Sequence, residues 1–159
     1  STAMPPMEIE RKFTVKALPE NLDSYPFHLI EQAYLNTDPV LRIRRQDDAY
    51  YLTYKGKGLM AREEYNLPLT AEAYEHLKPK ADGILITKDR YVIPEKDGLF
   101  IELDVFHGEY EGVLLAEVEF AVCMSIFATV YSCTAERVVR IMFVQPVILI
   151  KDGYTRRFN

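Results

Sequence analysis

Along most of the chain, apolar and polar residues alternate one by one, the period of a strand with one buried face. The opening stretch MEIERKF sets the pattern: Glu8, Glu10 and Lys12 alternate with Ile9, Arg11 and Phe13. The same period predicts strands near 7–16, 28–36, 40–46, 50–56, 61–68, 84–93, 99–107 and 113–121. Turn residues separate them at Thr37-Asp38-Pro39, Asp47-Asp48, Gly56-Lys57-Gly58, Asp97-Gly98 and Glu111-Gly112. One helix is predicted over 70–78, with Thr70 as its cap, Glu72 in its first turn and Pro79 as its stop. A shorter one is confined to 19–25 by Pro19 and Pro26. Short consecutive strands joined by tight turns pair antiparallel. Eight of them predict a mainly β, α+β fold: a closed antiparallel barrel with a few flanking helices.

The polar faces of these strands are unusual. Arg42 and Arg44 share one, as do Lys88 and Arg90, Glu102 and Asp104, and Glu117 and Glu119; Lys55 sits on the Thr53 face. Arg62 and Glu64 share another, with Glu63 leaving the phase of that strand open by one residue. A solvated outer sheet face mixes signs and carries Thr, Ser and Gln. Same-sign pairs repel, and a run of them on successive strands calls for a compensating ligand. If these faces turn inward, carboxylates suited to a hard divalent cation meet Arg and Lys rows suited to a polyphosphate. A triphosphate with Mg²⁺ or Mn²⁺ satisfies both. Surface placement of the same pairs is the competing explanation.

Composition narrows the field. The chain has 159 residues, 48% hydrophobic and 27% charged, enough for one domain with a sizeable core. A net charge of -5 argues against a general nucleic-acid binder. Cys123 and Cys133 read as reduced thiols of a cytoplasmic protein, and no stretch reads as a membrane span. Residues 1–6 read as a tag remnant or disordered start, with 7–159 as a single domain. His28, His76 and His107 are scattered, and the Tyr50-Tyr51 and Tyr54 group reads as sheet packing. From 121 to 150 the chain is strongly apolar without a clean period; 135–145 is predicted as a short helix and 146–151 as a strand. A homodimer through this segment and burial within one chain both fit.

The ordered set of charged motifs resembles a known family. EIERK at 8–12 is similar to the E-x-E-x-K signature of the CYTH superfamily, the triphosphate tunnel metalloenzymes. R-x-R at 42–44, Lys55, Arg62 with Glu64, K-x-R at 88–90, E-x-D at 102–104 and E-x-E at 117–119 follow in the family's order. The resemblance is to the small bacterial members and implies an eight-stranded tunnel that hydrolyses a triphosphate, most readily inorganic triphosphate. It implies that Glu8, Glu10 and Glu119 hold the principal metal, that Glu117 and Asp104 serve a second metal or its waters, and that Glu64 and Glu102 support them. Lys12, Arg42, Arg44, Lys55, Lys88 and Arg90 would hold phosphate oxygens, with Arg62 beside them, and Glu117 or Glu102 would orient the attacking water. A class IV adenylyl cyclase and a non-catalytic polyphosphate- or nucleotide-binding module share this architecture. After Phe120 the family pattern stops. Divergence, a swapped tail and a shifted reading frame each account for the change.

Overall fold

The computed structural model describes residues 7–15, 17–57, 61–95, 98–120, 144–146, 148–149 and 155–156; at 7–11, 14, 61–62, 119–120 and beyond 120 it describes the backbone alone. Eight strands form in the predicted places: β1 (Met7–Val15), β2 (Phe27–Thr37), β3 (Val40–Gln46), β4 (Ala49–Lys55), β5 (Ala61–Pro68), β6 (Asp82–Pro94), β7 (Phe100–Phe106) and β8 (Leu114–Phe120). The helix α1 covers Ala71–Leu77; the Thr70 hydroxyl accepts from the Ala73 amide at 3.1 Å, the expected cap. The 19–25 segment holds only a 3-10 turn at Leu22–Ser24, because its two prolines leave room for no more.

The sheet order is β5-β4-β3-β2-β6-β7-β8-β1, antiparallel throughout. It curls far enough that β1 also pairs with β5, at Met7↔Glu63, Glu8↔Arg62 and Ile9↔Ala61. A ninth strand, β9 (Val144–Pro146), lies on the same edge of β1 further along, opposite Phe13 to Val15. Two short strands, β10 (Ile148–Leu149) and β11 (Thr155–Arg156), pair with each other. The helix expected over 135–145 ends in strand at 144–145, and its remainder falls outside the described residues, as do residues 1–6, Cys123 and Cys133.

The sheet is apolar on its outer face. Phe13, Val15, Ile93, Ile101, Leu103, Ala116 and Val118 form one core there, covered by Leu22 and Tyr25 of the β1–β2 connection. Ala33, Ile43 and Tyr74 form a second, in which α1 packs across β2 to β4. Tyr74 is fully buried, and its hydroxyl donates to Glu31 at 2.8 Å, which also binds Lys78 at 2.7 Å. The helix is thus pinned by both packing and a polar clamp. Tight turns set the register: Asp47 adopts φ 52° between β3 and β4, and Gly112 φ 90° before β8. Asp tolerates the left-handed region better than most residues, and Gly adopts it freely.

Candidate active site

Because the outer face is apolar, the other phase of every strand turns inward. Arg42, Lys55, Lys88 and Arg90 are all at least nine-tenths buried, which long cationic side chains avoid unless partnered. Asp104 on β7 is the hub. It has no exposed surface. Lys88 donates to its Oδ2 at 2.6 Å, while Arg90 donates through Nε to Oδ1 at 2.7 Å and through Nη2 to Oδ2 at 2.9 Å. Arg90 also reaches Glu102 on β7 at 2.6 Å and Glu117 on β8 at 3.6 Å. Lys12 on β1 meets Glu117 at 3.3 Å, and Lys55 on β4 meets Glu64 on β5 at 3.8 Å. On the opposite wall Arg44 donates twice to Gln32 Oε1, at 3.1 and 2.8 Å. Every one of the eight strands contributes to this interior.

Of the sequence-predicted cations, Lys12, Arg42, Arg44, Lys55, Lys88 and Arg90 therefore line one interior. Burial and the positive charges of Arg42 and Arg90 push the Arg44 guanidinium down to about 9. A guanidinium stays protonated at neutral pH, so the shift reflects the cost of holding the charge there, burial first and the neighbouring cations second, rather than a titration. Burial, Arg90 and Arg44 push Lys88 down to about 7 despite Asp104. The Nε of Arg42 is buried with no hydrogen-bond partner among the described residues. The carboxylates divide. Burial would raise Glu117, but Lys12, Arg90, Lys88 and Lys55 hold it well below the usual carboxylate range. Burial and the nearby Glu117 and Asp104 raise Glu102, against the pull of Arg90.

Glu8, Glu10, Arg62 and Glu119 are placed by backbone register alone: Glu10 lies opposite Glu119, and Glu8 opposite Arg62. Among residues with described side chains, no three carboxylate, histidine or cysteine groups gather as a metal cluster. Asp104 spends both oxygens on Lys88 and Arg90, a use that competes with metal binding. His28 pairs with Asp47 at 2.7 Å and His107 with Asp89 at 2.9 Å, both at exposed positions.

Neutral inward residues escaped the sequence reading. Thr53 donates to Asn66 at 2.6 Å, and Gln32 holds Arg44. Tyr34 faces Arg42, Lys12 and Arg44; burial would raise its hydroxyl, yet these cations hold it below its ordinary value. The signal available was phase alone, since Gln32 and Tyr34 continue a row without same-sign charges.

Comparison with known proteins identifies the class. The chain belongs to the CYTH domain family, whose model matches residues 6–147, past the point where the charged motifs end. An inorganic triphosphatase of Nitrosomonas europaea is 39% identical over 117 residues, covering 71% of this chain and 76% of that protein. An inorganic triphosphatase of Acetivibrio thermocellus is 36% identical over 122 residues, covering 70% and 73%. The crystal structure of the inorganic triphosphatase NE1496 matches with a TM-score of 0.54 at 34% identity, covering 77% of this chain and 78% of that one.

Proposed function

We propose that this chain hydrolyses inorganic triphosphate with Mg²⁺ or Mn²⁺ inside a closed eight-stranded tunnel. The β1–β5 pairing supports closure, since it joins the two ends of the eight-strand order. The observation that carries the function is the buried cationic wall. Burial and neighbouring cations depress the charged state of Arg44 and Lys88, and Arg42 Nε lacks a partner among the described residues, so a linear polyanion lowers the energy of the folded protein. Similarity to two inorganic triphosphatases points to the same substrate.

The donor set fits a hard divalent cation. Glu10 and Glu119 adjoin in register, Glu8 precedes Glu10 by one strand repeat, and carboxylate oxygens are the ligands such ions prefer. Glu8, Glu10 and Glu119 would hold the metal, with Glu117 beside them. When bound, the ion supplies charge neutralisation at phosphate oxygens and lowers the pKa of water. Lys12, Arg42, Arg44, Lys55, Arg62, Lys88 and Arg90 hold the phosphates in line. Asp104 acts as a positioning residue that fixes Lys88 and Arg90. Glu102 is better suited than Glu117 to take the water proton, because its environment raises its basicity while cations suppress that of Glu117. The water oxygen bonds to a terminal phosphorus and its proton passes to Glu102. The bridging P–O bond breaks with its electron pair on the departing diphosphate. Positioning and charge neutralisation supply most of the rate in such transfers.

Phosphate release from triphosphate, ATP and thiamine triphosphate, with Mg²⁺ and with Mn²⁺, tests the reading. Triphosphate is expected to be turned over fastest, and the Glu8→Ala, Glu10→Ala, Glu119→Ala triple variant to lose activity. Full turnover by that variant, or cyclic AMP as the main product from ATP, overturns it.

A further inference from the structure

On four neighbouring strands the inward row changes character part-way along, from charged or amide side chains to apolar or aromatic ones. It runs Arg90, Lys88, Ile86 on β6; Glu102, Asp104, Phe106 on β7; Glu117, Leu115 on β8; and Gln32, Tyr34 on β2. The registers Gln32↔Ile86, Lys88↔Phe106 and Asp104↔Leu115 set the last polar residue of one strand's row against the first apolar residue of the next, so the change runs diagonally and without a break across the four strands. Ile86, Phe106 and Leu115 are 4%, 8% and 3% exposed and form one cluster. Tyr34 packs against it from β2, and Tyr110 and Val113 from the β7–β8 connection; Tyr110 meets Phe106 edge-on at 6.4 Å. The Lys88 ammonium lies 5.3 Å from the centre of the Phe106 ring, so the charged layer rests directly on the apolar one. Tyr34 belongs to both, its ring in the cluster and its hydroxyl bonded to Arg42.

A phosphate chain cannot pass through such a layer without shedding its hydration against hydrocarbon. We propose that this cluster stoppers one end of the tunnel, so that substrates enter through the opposite mouth, leading with an unesterified terminal phosphate. The inference rests on the triphosphatase reading and specifies its substrate class: linear polyphosphates with at least one free end. Extensions such as a nucleoside or further phosphates must trail out of the open mouth. A triphosphate esterified at both ends has no terminus to lead with. Long chains are shortened from their ends and never cut internally.

The test uses the purified full chain with Mn²⁺ and three substrates: triphosphate, a dinucleoside triphosphate, and long-chain polyphosphate followed on gels for product length. The expected result is turnover of triphosphate, loss of turnover with the doubly esterified compound, and no early mid-length polyphosphate. Ile86→Ala and, separately, the milder Phe106→Leu thin the stopper; in either, mid-length products rise about tenfold or more while triphosphate turnover persists. Wild-type protein that cleaves the dinucleoside compound as fast as triphosphate, or cuts chains internally, overturns the stopper and leaves the triphosphatase reading standing. Protein that turns over none of the three overturns the triphosphatase reading instead. Calorimetric titration then decides the stopper: weaker binding of the doubly esterified compound than of triphosphate supports it, and equal binding refutes it.

Discussion

Single residues in this interior carry opposite demands. Asp104 neutralises two buried cations, so removing its charge takes the bonded carboxylate from Lys88 and leaves Arg90 to Glu102 and the longer contact with Glu117. Asp104→Asn is expected to cost about 3–5 kcal/mol in the ligand-free protein, read by urea denaturation. Much of that loss should return when triphosphate is added, because phosphate replaces the missing counter-charge. Glu102→Gln keeps shape and removes the proton acceptor; kcat should fall by about 10²–10⁴ with little change in KM. If KM rises and kcat holds, Glu102 binds substrate rather than taking a proton. The phase of β5, open in the sequence because Glu63 adjoins Arg62 and Glu64, follows from tertiary contact: Glu64 meets Lys55 and Asn66, and Thr53 meets Asn66, so Glu64 and Asn66 face the tunnel. Nothing local marks Tyr34, whose role arises from cations on β1 and β3.

At the level of elements, the strands were legible because nearly all carry a period of two bounded by turn residues, β5 being the one whose phase stayed open, and α1 because its cap and stop residues are explicit. The 19–25 segment was less so, since helical propensity there yields to two prolines and to the packing of Leu22 and Tyr25 on the outer core. The apolar run after Phe120 has no single period, and there the pattern names no element reliably. The docking of α1 has a pH signature. Hydrogen bonds from Lys78 and Tyr74 outweigh burial and lower Glu31, so its contribution is present above the unfolded carboxylate value and lost as pH falls. Lys78, bonded to Glu31, is raised, so its contribution is present below its unfolded value and lost only in strong alkali. Glu31→Gln should therefore flatten the loss of thermal stability between about pH 5 and pH 3. An unchanged acid limb would show that Glu31 does not hold the helix. Thr70→Ala should cost about 1 kcal/mol through the lost cap, about 2–4 °C in Tm.

For the molecule as a whole, the charged interior means that the ligand-free state is held together against internal repulsion. Triphosphate with Mg²⁺ should raise stability by about 2.7 kcal/mol at a hundred times Kd. Scanning calorimetry at fixed protein concentration measures it, and monophosphate at equal ionic strength controls for screening. No helix among the described residues is long and apolar enough to cross a membrane.

Because most strands show hydrocarbon to the outside and polar or ionic groups to the inside over much of their length, one sequence carries two scripts that seldom overlap. Odd and even letters can drift separately: recasting the lining retunes what is gripped, while the cladding preserves the shape. A designer seeking new anion selectivity has a ready chassis here, in which the alphabet of recognition is spelled on alternate positions.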